Sequence, residues 1–134
     1  MASAEEAIFA LLSNDSDVTD IVGTRIYPVI TPEEGQYPAL SYFRVDGPRE
    51  HVLEGPAGLA RPRIQVDAWA NDSATARAAI AAVISALDGF IGNAGGVRVA
   101  GVIALGDHDL YEPRTKTFHV AADFLVMHEE RNSG

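Results

Sequence analysis

The sequence predicts an α+β domain in which helices pack on one face of a mainly antiparallel sheet of about four strands. Three observations carry this. The alanine-rich stretch "SATARAAIAAVISALDG" places Ile80, Val83, Ile84 and Leu87 at helical spacing. The stretches "RIQVDAWA" and "TFHVAADFLVM" alternate apolar and polar residues with the period of a strand. The apolar segments follow one another in the order ααββαββ, punctuated by Gly and Pro.

The first helix opens at Ser3, which with Glu6 forms a capping box, and continues through Ile8, Leu11 and Leu12 to Ser13 and Asn14. A short second helix runs from Asp15 or Ser16 to Val22 and stops at Gly23. "GTRIYPVITPEEGQYP" is extended, because Pro28, Pro32 and Pro38 each bias the preceding residue away from helix. Ala39 to Asp46 reads as a strand, with Arg61 to Ala70 as its antiparallel partner. "GPREHVLEGPAGLA" between them is too rich in Gly and Pro for a regular element, and its composition predicts an arm that orders on a neighbouring protein. Asp72 or Ser73 caps the long helix, which ends at Gly89. "GNAGG" reads as a connector, Val97 to Leu105 and Thr117 to Met127 as the last strands, and "GDHDLYEPRTK" as the loop joining them.

No repeat or composition break divides residues 1–134, so a single domain is expected. The absence of cysteine removes disulfides, zinc–thiolate sites and thiol catalysis. Nineteen acidic against ten basic residues give a formal charge of −9, the opposite of what gripping a phosphate backbone needs. The first helix carries Glu5 and Glu6 and no basic residue, which disfavours a membrane surface. No apolar run of bilayer length and no basic, apolar leader is present, and synthesis in a cytoplasm is expected.

The case for catalysis rests on Asp107, His108 and Asp109, where a histidine flanked by carboxylates would serve as a general base, on His51 with Glu54, and on His119 and His128. Neighbouring residues in a strand or loop point different ways, so a polar hairpin tip is the preferred reading. None of the four histidines sits at a helical ligand spacing, and "GNAGG" lacks the Gly-Lys-Ser/Thr ending of a phosphate loop. No catalytic, cofactor or metal residues are assigned.

The strand "RPRIQVDAWA" raises a different question. Ile64, Val66, Ala68 and Ala70 face a core, which leaves Arg63, Gln65, Asp67 and the lone tryptophan, Trp69, on the other side. If the last strand lies alongside, His119 and Asp123 join them. Tryptophan is enriched in protein interfaces, so this face is read as a contact with another protein. Arg44, Arg49 and Arg61 cluster with Arg63 around the same two strands, suited to bidentate carboxylate pairing, and His51 and Leu53 of the long loop complete the candidate interface.

Separated segments also point to a family: "TRIYP", "YPALSY", "HVLEGPAGLARPRIQVDAWA", the alanine-rich helix and "DLYEPRTKTFHVAADFLVMHEE". In this order they resemble the tail completion or tail terminator proteins of long-tailed bacteriophages, found also in prophages and gene transfer agents. The resemblance implies a structural virion protein of the tail neck, not an enzyme. It implies a homohexameric ring that caps the tail tube, ends its polymerisation and joins it to the head connector or stopper protein. Its partners would be further copies, the major tail tube protein and that connector, with DNA passing through unbound. Two other readings remain: another neck ring component, or a small cytoplasmic binding or enzymatic domain using Asp107 to Asp109.

Overall fold

A computed structural model describes residues 3–29, 36–45, 59–113 and 116–129. Three helices, α1 (Ala4–Ser13), α2 (Ser16–Val22) and α3 (Ser73–Leu87), accompany seven strands. These are β1 (Ile26–Pro28), β2 (Ala39–Val45), β3 (Leu59–Ala60), β4 (Arg63–Ala70), β5 (Gly92–Ala94), β6 (Val97–Glu112) and β7 (Thr117–Glu129). They form one sheet in the order β1-β2-β4-β7-β6-β5, with β3 beside β7. The α+β expectation holds, but the sheet is larger than about four strands and it is mixed, because β1 runs parallel to β2.

The helices start where the sequence places them. The Ser3 hydroxyl accepts from the Glu6 N–H while the Glu6 carboxylate accepts from the Ser3 N–H, so the box at α1 is closed both ways. Asp15 caps α2, and Asp72 caps α3 by accepting from the Thr75 backbone N–H and hydroxyl. These bonds favour the charged form of Asp72 and hold its carboxyl below the usual range.

All three helices bury their apolar stripes on one side of the sheet. Ile8 and Leu12 of α1, Val18 and Val22 of α2, and Ile80, Val83 and Leu87 of α3 meet Leu40, Ile64, Val66, Ala68, Val120, Ala122, Phe124 and Val126 in a single core. Each such aliphatic side chain removed from water contributes about 1.5–3 kcal/mol.

The additional strands come from three places. The predicted strand from Arg61 breaks at Pro62, which has no N–H to donate, so β3 and β4 share one lane beside β7 and the Pro62 carbonyl still accepts from the Val126 N–H. "GNAGG" is a hairpin, not a connector: Gly95 and Gly96 both take positive φ, as a two-residue turn between β5 and β6 requires. The expected loop at Asp107 continues β6 instead, paired with β7 as far as Glu112↔Thr117 through irregularities at Ala100 and Leu105. Its carboxylates tolerate the strand because Arg77 of α3 binds both.

Two substitutions test this packing. Phe124→Ala, at a fully buried position, is expected to cost about 3–5 kcal/mol by urea unfolding. Gly95→Ala should destabilise by about 1–3 kcal/mol, because φ is +58° and the new Cβ would lie 2.5 Å from the Glu6 carbonyl oxygen.

Candidate interaction surface

The face of the sheet turned away from the helices is assembled by register. Trp69 pairs with Ala39 on one side and His119 on the other, Asp67 with Ser41 and Ala121, and Gln65 with Phe43 and Asp123. In β6, His108 lies beside Ala121 and Leu110 beside His119. Ala39 and Ala121 are buried yet stand outside the core cluster, as residues of the opposite face must. The alternating pattern read from "RIQVDAWA" therefore brings Arg63, Gln65, Asp67, Trp69, His119 and Asp123 onto one surface.

The centre of this surface is tightly organised. The Trp69 indole stacks on the His119 ring at 3.9 Å between centroids and 12° between planes, and its Nε1 donates to Ser41 Oγ at 3.1 Å. Asp67 is 5% exposed, although no helix covers it. Gln65 Nε2 donates to one of its oxygens at 2.7 Å, and His119 Nε2 stands 3.2 Å from the other. That second approach is close enough for electrostatic attraction but lies off the direction of a hydrogen bond, and His119 Nε2 is left unbonded. Arg63 donates to Asp123 Oδ2 at 3.2 Å, while Asp123 Oδ1 is buried without a partner. Two orphaned buried polar atoms on one face are a cost that a native surface normally relieves through water or a neighbour.

The other candidates are placed elsewhere. Arg44 is on the helix side, where its guanidinium meets Glu5 of α1 at 3.1 and 3.3 Å. Arg61 is exposed in the link between β3 and β4. Arg49, His51 and Leu53, with most of the predicted arm, lie outside the described residues.

The sequence showed no sign of Arg77, whose Nη1 donates to Asp107 at 3.0 Å and whose Nε and Nη2 donate to Asp109 at 3.1 and 2.6 Å. Only the register reveals this arrangement. Asp107 and Asp109 face α3, and His108 points to the opposite side, so neither neighbour can orient its imidazole as a base requires. Among the described residues no three His, Asp or Glu side chains are grouped to hold a metal ion, and no helix is long and apolar enough to cross a membrane.

Comparison with known proteins gives the family. The family described as Tail completion protein gp17 matches residues 6–129. The chain belongs to that family. The family is a structural component of phage tails, and the tail completion chain described here shares its fold with a solved chain from "Virion of native gene transfer agent (GTA) particle". The two are 22% identical, with 96% of each covered and a TM-score of 0.77. A crystal structure from Akkermansia muciniphila aligns only loosely, at TM-score 0.40 and 12% identity over 72% of this chain and 43% of its own. No curated protein matches in sequence.

The Arg44–Glu5 pair gives a pH prediction. Burial pushes the Glu5 carboxyl up, but the hydrogen bond and charge of Arg44, with smaller contributions from the Glu5 backbone and Ser3, outweigh it and leave the carboxyl below its usual value. A lowered folded pKa contributes stability that is present above the ordinary glutamate range and lost as pH falls through the folded value. The pair is partly exposed, so the contribution is below about 1 kcal/mol. Arg44→Gln should therefore lower the urea midpoint slightly at pH 7, and the difference from the parent protein should shrink at about pH 3.

Proposed function

We propose that this tail completion protein forms the ring that closes the head-proximal end of a phage tail, with six copies seated on the last ring of the tail tube. The ring ends polymerisation of the tube and offers its far side to a head–tail connector or stopper protein. Its partners are further copies of itself, the major tail tube protein and that connector. It is made in the host cytoplasm and resides in the neck of the virion. The family match over residues 6–129 carries this reading, and the likeness to a chain of a gene transfer agent virion supports it.

Two physical features agree with it. A closed ring of identical subunits needs two different complementary patches on each copy, and a sheet with one face on the core and a polar-aromatic face left over supplies one of them. The orphaned His119 Nε2 and Asp123 Oδ1 find hydrogen-bond partners most readily across such a contact. The formal charge of −9 suits a bore through which DNA slides, because a basic lining would bind phosphates by releasing counterions. Arg44 and Arg63 each hold a carboxylate of their own subunit, Glu5 and Asp123, yet both stay about half exposed, and with Arg49 and Arg61 they are assigned to protein contacts outside the bore.

Electron microscopy of tails assembled with the tagged chain should place a six-fold ring at the head-proximal end of the tube. A different symmetry, or a position elsewhere on the particle, would overturn this assignment. Replacing Arg61 and Arg63 by Glu should reduce incorporation into tails by at least about tenfold, while stability falls by no more than about 1–3 kcal/mol, because Arg61 is exposed and only the Arg63 partner, Asp123, loses a bond. Density showing either arginine against DNA in the bore would contradict the assigned role.

A further inference from the structure

The two ends of the sheet differ. At one end β1 is three residues long and finishes in Pro28, which has no N–H to offer an incoming strand. At the other end β6 is covered by β5 only from Val97 to Val99. The link after α3 then engages it: the Gly89 N–H donates to the Val102 carbonyl at 2.8 Å, and Asp88 Oδ1 accepts from the Ala104 N–H at 2.9 Å. From Leu105 to Glu112 no described strand pairs with this edge, and every residue is exposed. Leu105 is 48% exposed, Leu110 44% and Tyr111 51%. A long free edge with apolar side chains is a template for another strand unless charge restricts what can bind. Among the described residues Asp107 and Asp109 share a single cation, Arg77, which leaves one negative charge over beside the edge.

We propose that this edge takes up residues 49–53 of a second copy of the chain as an added antiparallel strand. Setting Glu50 opposite His108 places Arg49 opposite Asp109, His51 opposite Asp107 and Leu53 beside the exposed Leu105. Three successive positions then match in charge or hydrogen bonding, and an apolar pair follows. The segment is bounded by Pro48 on one side and Gly55 and Pro56 on the other, which limits the added strand to the length of the match.

Two other occupants fit less well. Self-pairing of β6 about His108 would set the Asp107 and Asp109 carboxylates of one copy against those of the other. The same copy's segment falls short. Arg49 follows Val45 by four residues and reaches at most about 14 Å. The new lane lies four strand spacings from β2, about 19 Å across the sheet. Asp109 is level with Val120, five residues along β7 from the Leu125 that lies level with Arg63 and Val45, or about 16 Å further.

The inference rests on the reading that copies of this chain associate. The absence of native cysteine makes cross-linking a clean test. Cross-strand Cα atoms stand about 4.5–5.5 Å apart, within disulfide range. The full chain carrying both Glu50→Cys and His108→Cys, oxidised at high concentration, should give disulfide-linked dimers and larger species on a non-reducing gel. Their yield should be at least about tenfold that of a chain carrying Glu50→Cys and Ile103→Cys, which lies outside the register. Adding Arg49→Asp or Asp109→Lys alone should suppress the cross-link, and adding both should restore it. Equal cross-linking in the control, an internal disulfide in a monomer, no disulfide, or failure of the charge exchange would each overturn the proposal. Cross-linking in this register by a chain that never reaches the tail end would instead overturn the functional assignment and leave the strand pairing standing.

Discussion

The register between β4 and β7 decides what each face of this sheet can do. Ile64 lies against Phe124, Val66 against Ala122 and Ala68 against Val120, which makes a smooth apolar seam under α3. Side chains alternate with a period of two, so a slip of one residue would exchange the faces completely. Asp67 would then enter the core, where an unpaired carboxylate costs several kcal/mol, and the aliphatic row would be left to water. The hydrophobic pattern and the polar pattern thus enforce the same pairing. The helices follow from it, because α3 can pack closely with its small Ala76 and Ala79 only over that seam.

The helices were legible in the sequence because their signals are local. Ser3 with Glu6, Asp15 and Asp72 act on backbone groups two or three residues away, and the apolar spacing lies within one element. The central strands were legible for the same reason. The short strands were not, because β1, β3 and β5 are two or three residues each and are held by their neighbours, not by their own preference. The extension of β6 was hidden by its content: Asp, His and Asp resemble a turn until Arg77, thirty residues earlier, is seen to neutralise two of them. The candidate surface divides in the same way. Alternation placed Gln65, Asp67, Trp69, His119 and Asp123 together, but nothing local could show that Arg44 is engaged by Glu5, 39 residues away.

The helix-free face has an unusual balance for a surface left to water. Its middle is nearly dry, with Ser41, Asp67 and Ala121 all at 5% exposure or less, while Ile103 and Leu110 nearby remain open. Charged groups that are already desolvated in the free subunit pay little further penalty when another protein closes over them. The Trp69–His119 stack and the Ser41 hydroxyl fix the indole, so its large apolar area is offered without much loss of side-chain freedom on contact. In a tail completion protein, such a prearranged surface favours definite geometry over raw stickiness.

The clasp that Asp88 and Gly89 place on Val102 and Ala104 also has a mechanical side. It fastens β6 to the end of α3 on one flank, and the ladder from Val102↔Val126 to Glu112↔Thr117 fastens it to β7 on the other. A pull along β6 would therefore load many hydrogen bonds in parallel, as shear, and would not open them one after another as peeling does. Force applied at that edge would be shared between the centre of the sheet and the helical layer. The chain would then yield as one body, a mechanical property that suits a structural component of a phage tail.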